Sequence, residues 1–385
     1  MKILYIADYQ SKEVIQRRQI TSNVHDGANT KISRIARGLA KRGHTVAVLA
    51  TGIAARRSGR WSAGFNSAID GSVTPVRYGS SVDVPVLNHL VGAGSMRLWA
   101  RRNGPWDCVL MYNFGFEAVA TCLSLCKFEH IPLVVEYEDD AKMSLGGENR
   151  LHQYKGELAI GCLQSQIGGA LVVTERLRSH IRTPNVLVLP GVVEDGHVPS
   201  GTWLQTGRPT VMYCGGMNYL KGPDILLNAL QYTHREVDVH FFGTGPMLGE
   251  LRELARGVSR HSVSIHGRVE EEVLREYFDR AALFVNPHRL ALGHDNSLFP
   301  FKVFEYLATG KPVVTSQVSQ LTPSIELGLV RYDGDSPRAL AESLNLCLAK
   351  YSELSAKALL AAEEINSLYS VSAVAERVEQ VLKSA

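Results

Sequence analysis

NSLFPFKVFEYLATGKPVVTS, residues 296–316, reads as a loop, a short helix opening at Pro300, a stop at Gly310 and a buried strand Lys311-Pro312-Val313-Val314. Proline suits the first helical position because its φ is already helical and its missing N–H is one of the orphan donors there. Glycine just past the last helical residue is the matching stop signal. Phe299, ahead of the proline, has no side-chain oxygen with which to cap the helix. First-turn amides without a cap, at the positive end of the helix dipole, form an anion site. Lys302 and Glu305 fall three apart on one face of that turn, so one can meet a phosphate while the other accepts from sugar hydroxyls. The competing reading is an uncapped helix carrying a surface ion pair.

Outward from this stretch, strand–loop–helix units repeat. Upstream lie strands at Thr210–Tyr213, Val237–Phe242, Val263–His266 and Leu283–Asn286, with helices Pro223–Leu230, Met247–Ala255 and Glu271–Phe278 between them. Such alternation predicts a doubly wound α/β domain. Residues 192–209 lose periodicity and gain Gly and Pro, which marks a linker. Before it the pattern also runs, from the strand Met1–Asp8 through helix Thr30–Gly43 and strand Thr45–Ala50 to strands Asp107–Met111, Pro132–Glu136, Ala170–Thr174 and Val186–Leu189. In that first helix Ile32, Ile35, Ala36, Leu39 and Ala40 recur at helical spacing. Residues 9–28 read as a polar loop. Residues 52–104, rich in Gly, Ser and Arg, read as a solvated, mobile insertion holding one apolar helix near Val86–Trp99; their basic and aromatic residues also suit a membrane-facing or acceptor surface.

The 385 residues are 45% hydrophobic and 21% charged, an ordinary globular composition with room for two or three domains. A net charge of +3 is too small to indicate a nucleic-acid partner, yet permits a basic patch toward phosphates or an anionic membrane. The six cysteines lack metal-site spacing and suit a reducing cytoplasm. No run of about 18 apolar residues is present, and MKILYIADY reads as a strand rather than a leader.

Several motifs bear on chemistry. Cys214-Gly215-Gly216-Met217-Asn218-Tyr219-Leu220-Lys221-Gly222 is a glycine turn after a strand with a lysine before a helix, so its backbone can cradle a diphosphate that Lys221 neutralises. It is not a Walker loop, since no Ser or Thr follows the lysine. Gly243-x-Gly245-x-x-x-Gly249 is one residue too long for the dinucleotide fingerprint. Glu136, Glu138, Asp139 and Asp140 crowd the carboxyl end of a strand, where a metal site, a hydroxyl-binding cluster and a solvated acidic turn compete. Asp333-Gly334-Asp335 reads as a turn feeding a helix, and His288, His294 and Asp295 as loop residues near substrate rather than metal ligands.

Gly27-Ala28-Asn29 with Leu39–Val46, then Gly216…Lys221-Gly222, then Phe299–Ala308 with Gly310–Val314 resemble family-four glycosyltransferases. The likeness covers the second half and the first fifty residues and is weak over 52–190. It implies a GT-B fold, two Rossmann-like doubly wound parallel-sheet domains facing a central cleft. It also implies transfer of a sugar from a nucleoside diphosphate sugar to a hydroxyl acceptor, with retention; Lys221, Lys302 and the helix start at Pro300 would stabilise the departing diphosphate without a metal. By the resemblance Lys221 sits on the diphosphate and Glu305 on the ribose; Gly243 with its neighbours to Pro246, Arg268 and Val269 lie near the base, and Gly27 near the transfer site. The donor set comprises Gly216, Lys221, Gly243, Arg268, Val269, Asn296, Ser297, Leu298, Phe299, Lys302 and Glu305; the catalytic set comprises Lys221, Lys302, Glu138 and Asp139; Gly27, Ala28 and Asn29 form the acceptor side. The chain departs from the family pattern at Ser297, where the first glutamate of E-x7-E belongs, and at Met217, where an arginine is usual. Glu138-Asp139 stands where a histidine is often found. Lys302 is then the substitute for the arginine.

The expected domains are 1–191, a linker 192–209, a donor-binding domain 210–366 and a terminal helix 367–385 packing back on the first. The expected setting is bacterial polysaccharide biosynthesis in the cytoplasm, with peripheral membrane contact open. The alternatives are a silent sugar-nucleotide-binding subunit, suggested by Ser297 and Met217, and a sugar-nucleotide epimerase, which needs no acceptor.

Overall fold

The computed structural model describes all residues except 21–25, 53–58, 85, 139–157, 197–202, 204–206, 290–299 and 317–320. The chain divides into two compact units, Met1–Val192 with Val371–Ala385, and Val193–Ser370.

The first unit opens with β1 (Lys2–Ile6), α1 (Lys12–Arg18), α2 (Asp26–Lys41) and β2 (Thr45–Ala50). Next come β3 (Trp61–Ser62), β4 (Phe65–Ala68), β5 (Pro75–Tyr78) and β6 (Ser81–Val82), nested so that β3 pairs with β6 and β4 with β5. Then follow α3 (Leu87–Asn103), β7 (Cys108–Tyr112) and α4 (Phe116–Cys122), which runs into a π-helical turn at Leu123–Lys127. The unit continues through β8 (Leu133–Tyr137), a helix α5 described over 158–163, β9 (Ile167–Val172), α6 (Glu175–Arg178) and β10 (Val186–Val188). The eight-stranded sheet has the order β10-β9-β8-β7-β1-β2-β5-β4, and every pairing in it except β4–β5 is parallel. Central strands such as Cys108–Met111 and Leu133–Val135 are buried throughout, as a parallel sheet covered on both faces requires.

The second unit alternates strand and helix as far as Ala349. It runs β11 (Thr210–Cys214), a 3-10 turn Tyr219–Lys221, α7 (Pro223–Ala229), β12 (Asp238–Phe242), α8 (Leu248–Arg256), β13 (Ser262–Gly267), α9 (Glu271–Arg280) and β14 (Leu283–Asn286). After these come α10 (Phe301–Ala308), β15 (Val313–Thr315), α11 (Pro323–Glu326), β16 (Leu329–Arg331), α12 (Pro337–Ala349) and α13 (Tyr351–Tyr369). Its parallel sheet has the order β13-β12-β11-β14-β15-β16. The strand order reverses at β11, which has β12 on one side and β14 on the other; the crevice at such a reversal is where open α/β sheets take ligands.

The last helix, α14 (Val371–Lys383), belongs to the first unit. It packs on α2 at Gly38, where an added Cβ would stand 2.9 Å from Ala375 Cβ and 2.9 Å from Val371 Cγ1. Asn185 Nδ2 donates to Val381 O at 3.0 Å, and Arg42 pairs with Glu379.

Three expectations fail. The supposed loop 9–28 contains α1, which Ser11 caps by accepting from Val14 N. Its buried Arg18 donates to the carbonyls of Thr51, Gly52 and Gly79, each at 2.6 Å, joining α1 to the ends of β2 and β5. The segment taken as a mobile insertion instead supplies β4 and β5 to the main sheet, anchored by the buried, tilted ring pair Phe65–Tyr78 at 5.0 Å. Pro300 is not the first helical residue but the N-cap of α10: its ψ of 105° is extended, while its carbonyl already accepts Val303 N at 2.9 Å.

Candidate functional site

The second unit carries the densest chemistry at the carboxyl end of β11. There the strand gives way to Gly215-Gly216, and two tyrosines fix the turn. Tyr306 O–H donates to Cys214 O at 2.7 Å and its oxygen accepts Cys214 N at 2.8 Å; Tyr213 O–H donates to Gly216 O at 2.6 Å. The loops after β11, β12 and β13 lie backbone against backbone: Gly215 N donates to Phe242 O at 2.9 Å, Gly243 N to Gly267 O at 2.7 Å and Met217 N to Thr244 O at 2.8 Å. Gly243 has φ +126°, and a Cβ there would stand 2.0 Å from Gly215 O, so only glycine allows this approach.

Two lysines reach the turn. Lys221 ends the 3-10 turn, its N–H held by the Asn218 side chain at 3.1 Å; a Cβ on Gly216 would lie 4.0 Å from its Cγ. Lys302 comes from the first turn of α10 and passes over Tyr213 with its Nζ 4.3 Å from the ring centroid. That Nζ would be 3.3 Å from a Cβ on Gly215; it is shut off from solvent and has no hydrogen-bond partner among the described residues. Burial, and then the charge of Lys221, pull the Lys302 amine down to about 7. The surface ion pair with Glu305 is therefore not formed. Glu305, half-buried, sits one turn further along α10, and α10 has no side-chain cap.

The loop bearing Lys221 is braced by Arg289, which sequence reasoning missed. Its guanidinium forks onto Asp224, bonds Tyr219 O and stacks 3.8 Å from the Tyr219 ring centroid, while Arg289 N donates to Leu220 O at 2.9 Å. Its position directly after an apolar strand, next to His288, was the available signal. Met217 points away from the turn into the core, fully buried. Arg268 and Val269 follow the end of β13, the first exposed. Asn296, Ser297, Leu298, Phe299, His294 and Asp295 lie outside the described residues, as do Asp139 and Asp140.

In the first unit, Glu138 is not a free carboxylate at a strand end. It pairs with the buried Lys31 of α2, whose Nζ also lies 3.5 Å from Glu136 and donates to Leu189 O at 2.9 Å. Tyr5 O–H donates to Glu136. Burial alone would lower the Lys31 amine; Glu138 and Glu136 outweigh it and raise it. Much of the acidic motif thus neutralises one internal cation. Of the acceptor-side set, Asn29 is tied to the loop after β1, accepting Gln10 N at 2.9 Å and donating to Gln10 O at 3.1 Å, while Gly27 is exposed. Among the described residues no three His, Cys, Asp or Glu side chains converge as a metal site.

Residues 208–350, which contain both lysines and the glycine turn, match the family described as group 1 glycosyl transferases. This segment is a group 1 glycosyltransferase domain. A D-inositol 3-phosphate glycosyltransferase of Xylanimonas cellulosilytica is 30% identical over 154 residues, 38% of this chain and 35% of that protein. The chain spans little more than a third of the length of the curated relatives it matches. Among solved structures, sucrose-phosphate synthase of Thermosynechococcus elongatus superposes with a TM-score of 0.72 at 14% identity, covering 100% of this chain and 98% of that one. Anabaena HepE in complex with UDP gives 0.70 at 14% identity, with 100% of both chains covered. At these identities the superpositions show the fold, which is GT-B. Within the glycosyltransferase domain the glycine turn, Lys221 and Lys302 share the carboxyl end of the strand at which the sheet order reverses.

Proposed function

We propose that this protein transfers a sugar from a nucleoside diphosphate sugar to a hydroxyl acceptor, with retention at the anomeric carbon and with fixed cations rather than a resident metal stabilising the leaving diphosphate. The observation that carries this reading is the convergence of Lys221 and Lys302 on the Gly215-Gly216 turn, the Lys302 amine being buried without a partner among the described residues. A buried unpaired amine is costly, and a dianionic phosphate would relieve that cost. Preorganised cations aimed at developing negative charge are what departure of a diphosphate demands. The uncapped start of α10 adds backbone donors to the same place. Glu305 would take the ribose hydroxyls, and the loops at Gly243 and Arg268-Val269 the base. The acceptor would meet the loop after β1 beside Gly27, Ala28 and Asn29, in a cytoplasmic setting.

One observation favours a silent binding subunit. Met217, at the place of the usual arginine, is packed in the core and offers nothing to a phosphate. A screen of purified protein against UDP-, GDP-, ADP- and dTDP-sugars, by thermal shift and nucleoside diphosphate release, decides between them. Stabilisation by one donor with release supports the transferase. Stabilisation without release, with extracts supplying acceptors, favours the silent subunit, and no stabilisation by any donor removes both.

A further inference from the structure

Helix α3 contains no acidic residue, and its two sides differ in a way the core does not explain. Asn88, Gly92, Met96 and Ala100 face inward and are buried. On the opposite side Leu87, Leu90 and Leu98 stand 47%, 57% and 50% exposed. With Gly94 they form one stripe at helical spacing, and exposed Arg97, Arg101 and Arg102 flank its far end. Neighbouring elements extend the face. Exposed Phe116 of α4 packs edge-on against His89, with ring centroids 5.8 Å apart, at the start of the helix. At the other end Arg101 Nε holds Glu129 Oε1 at 2.5 Å, which brings exposed Lys127 and Phe128 alongside. Near the start, Glu117 is buried and bonded to His89 Nδ1 at 2.7 Å, and Asp83 is half-buried.

We propose that the outer face of α3, with Phe116 and Phe128, seats the protein on an anionic lipid surface. A row of leucines and two phenylalanines left in water is an apolar patch that wants a cover. The charges around it choose the cover: exposed Arg97, Arg101, Arg102 and Lys127 outnumber the exposed carboxylates of Glu129, which is paired with Arg101, and of Asp107 beyond the end of α3, so the rim is net positive and complements negative headgroups. Apolar insertion combined with cationic attraction is the pair of signals that reversible surface binding requires. A second copy of the chain would bring four cations onto four cations, which disfavours a self-interface. The inference is independent of the donor site.

The full-length protein is mixed with extruded phosphatidylcholine vesicles, with or without about one-third phosphatidylglycerol, and bound protein is read by flotation. Anionic vesicles should capture it at least about tenfold better than neutral ones, and added salt should release it. Leu90→Glu and Leu98→Glu should abolish capture, whereas Leu360→Glu on the exposed side of α13 should not. Arg97→Glu with Arg102→Glu should remove the preference for anionic lipid. Unchanged melting temperatures would show that these exposed substitutions leave the fold intact. Equal capture by neutral vesicles, capture that survives Leu90→Glu, or a dimer in light scattering that Leu90→Glu dissociates would each overturn the proposal.

Discussion

Lys302 Nζ lies 4.3 Å from the centroid of the Tyr213 ring, with no hydrogen-bond partner among the described residues and no contact with solvent. The ring face offers part of what water has been denied, since a desolvated cation over an aromatic ring gains ~2 kcal/mol. That falls short of the desolvation cost, and the amine settles at about 7.

Stability should record this strain. An unfolded lysine keeps its ordinary value of 10.5, so between about 7 and 10.5 the unfolded chain holds the extra proton. Stability therefore rises with pH across that window, and the penalty is fully present below about 7. Lys302→Met should stabilise the protein by on the order of 2–4 kcal/mol near neutral pH, the gap closing toward pH 10.5. Calorimetric melts across the window test this; a variant less stable than the parent at neutral pH would contradict it.

The same amine should make donor binding consume protons. A diphosphate favours the charged lysine, so above pH 7 each binding event should take up as much as one proton per site, and affinity should fall up to ~10-fold per pH unit. Titration calorimetry in buffers of different ionisation enthalpy counts the protons. Lys302→Met should bind more weakly and with a flatter pH dependence.

Lys221→Ala tests the other cation. Loss of one preorganised charged donor should lower kcat/KM by about two to three powers of ten. Unaltered turnover would take Lys221 out of the mechanism.

Gly243→Ala probes the backbone stack. A methyl 2.0 Å from Gly215 O at φ +126° must displace the turn between the lysines, so donor affinity should drop at least ~10-fold with a loss of roughly 1–3 kcal/mol in stability. Gly249 of α8 has open space around it, and Gly249→Ala should stabilise by about 0.5–1 kcal/mol.

Much of the fold was legible because parallel strands buried on both faces write themselves as runs such as Cys108–Met111 and Val313–Val314, and their helices as periodic patterns. What escaped was written in polar residues. α1 has few apolar positions and is held by the cap of Ser11 and the buried fork of Arg18, neither of which periodicity shows. β4 and β5 are antiparallel and half-exposed, so Phe65 and Tyr78 were lost among Ser, Gly and Arg. At the site, the Gly215-Gly216 turn and both lysines could be named, but spacing cannot tell a buried amine from an exposed one, and Lys302 read equally as half of a surface pair. Glu138 drew attention as one carboxylate among four, while its partner Lys31 was hidden in a run of helix-forming residues 107 positions away.

The contact of Gly38 with Val371 and Ala375 sets an order of events during synthesis. The groove on α2 that receives α14 is made early, but its filling emerges from the ribosome only after all of Val193–Ser370 has been translated. The unit begun first is thus finished last, and its nascent form must wait with an apolar surface unshielded. A premature stop within 371–385 would leave residues 208–350 whole and injure the unit that holds β1 and α2.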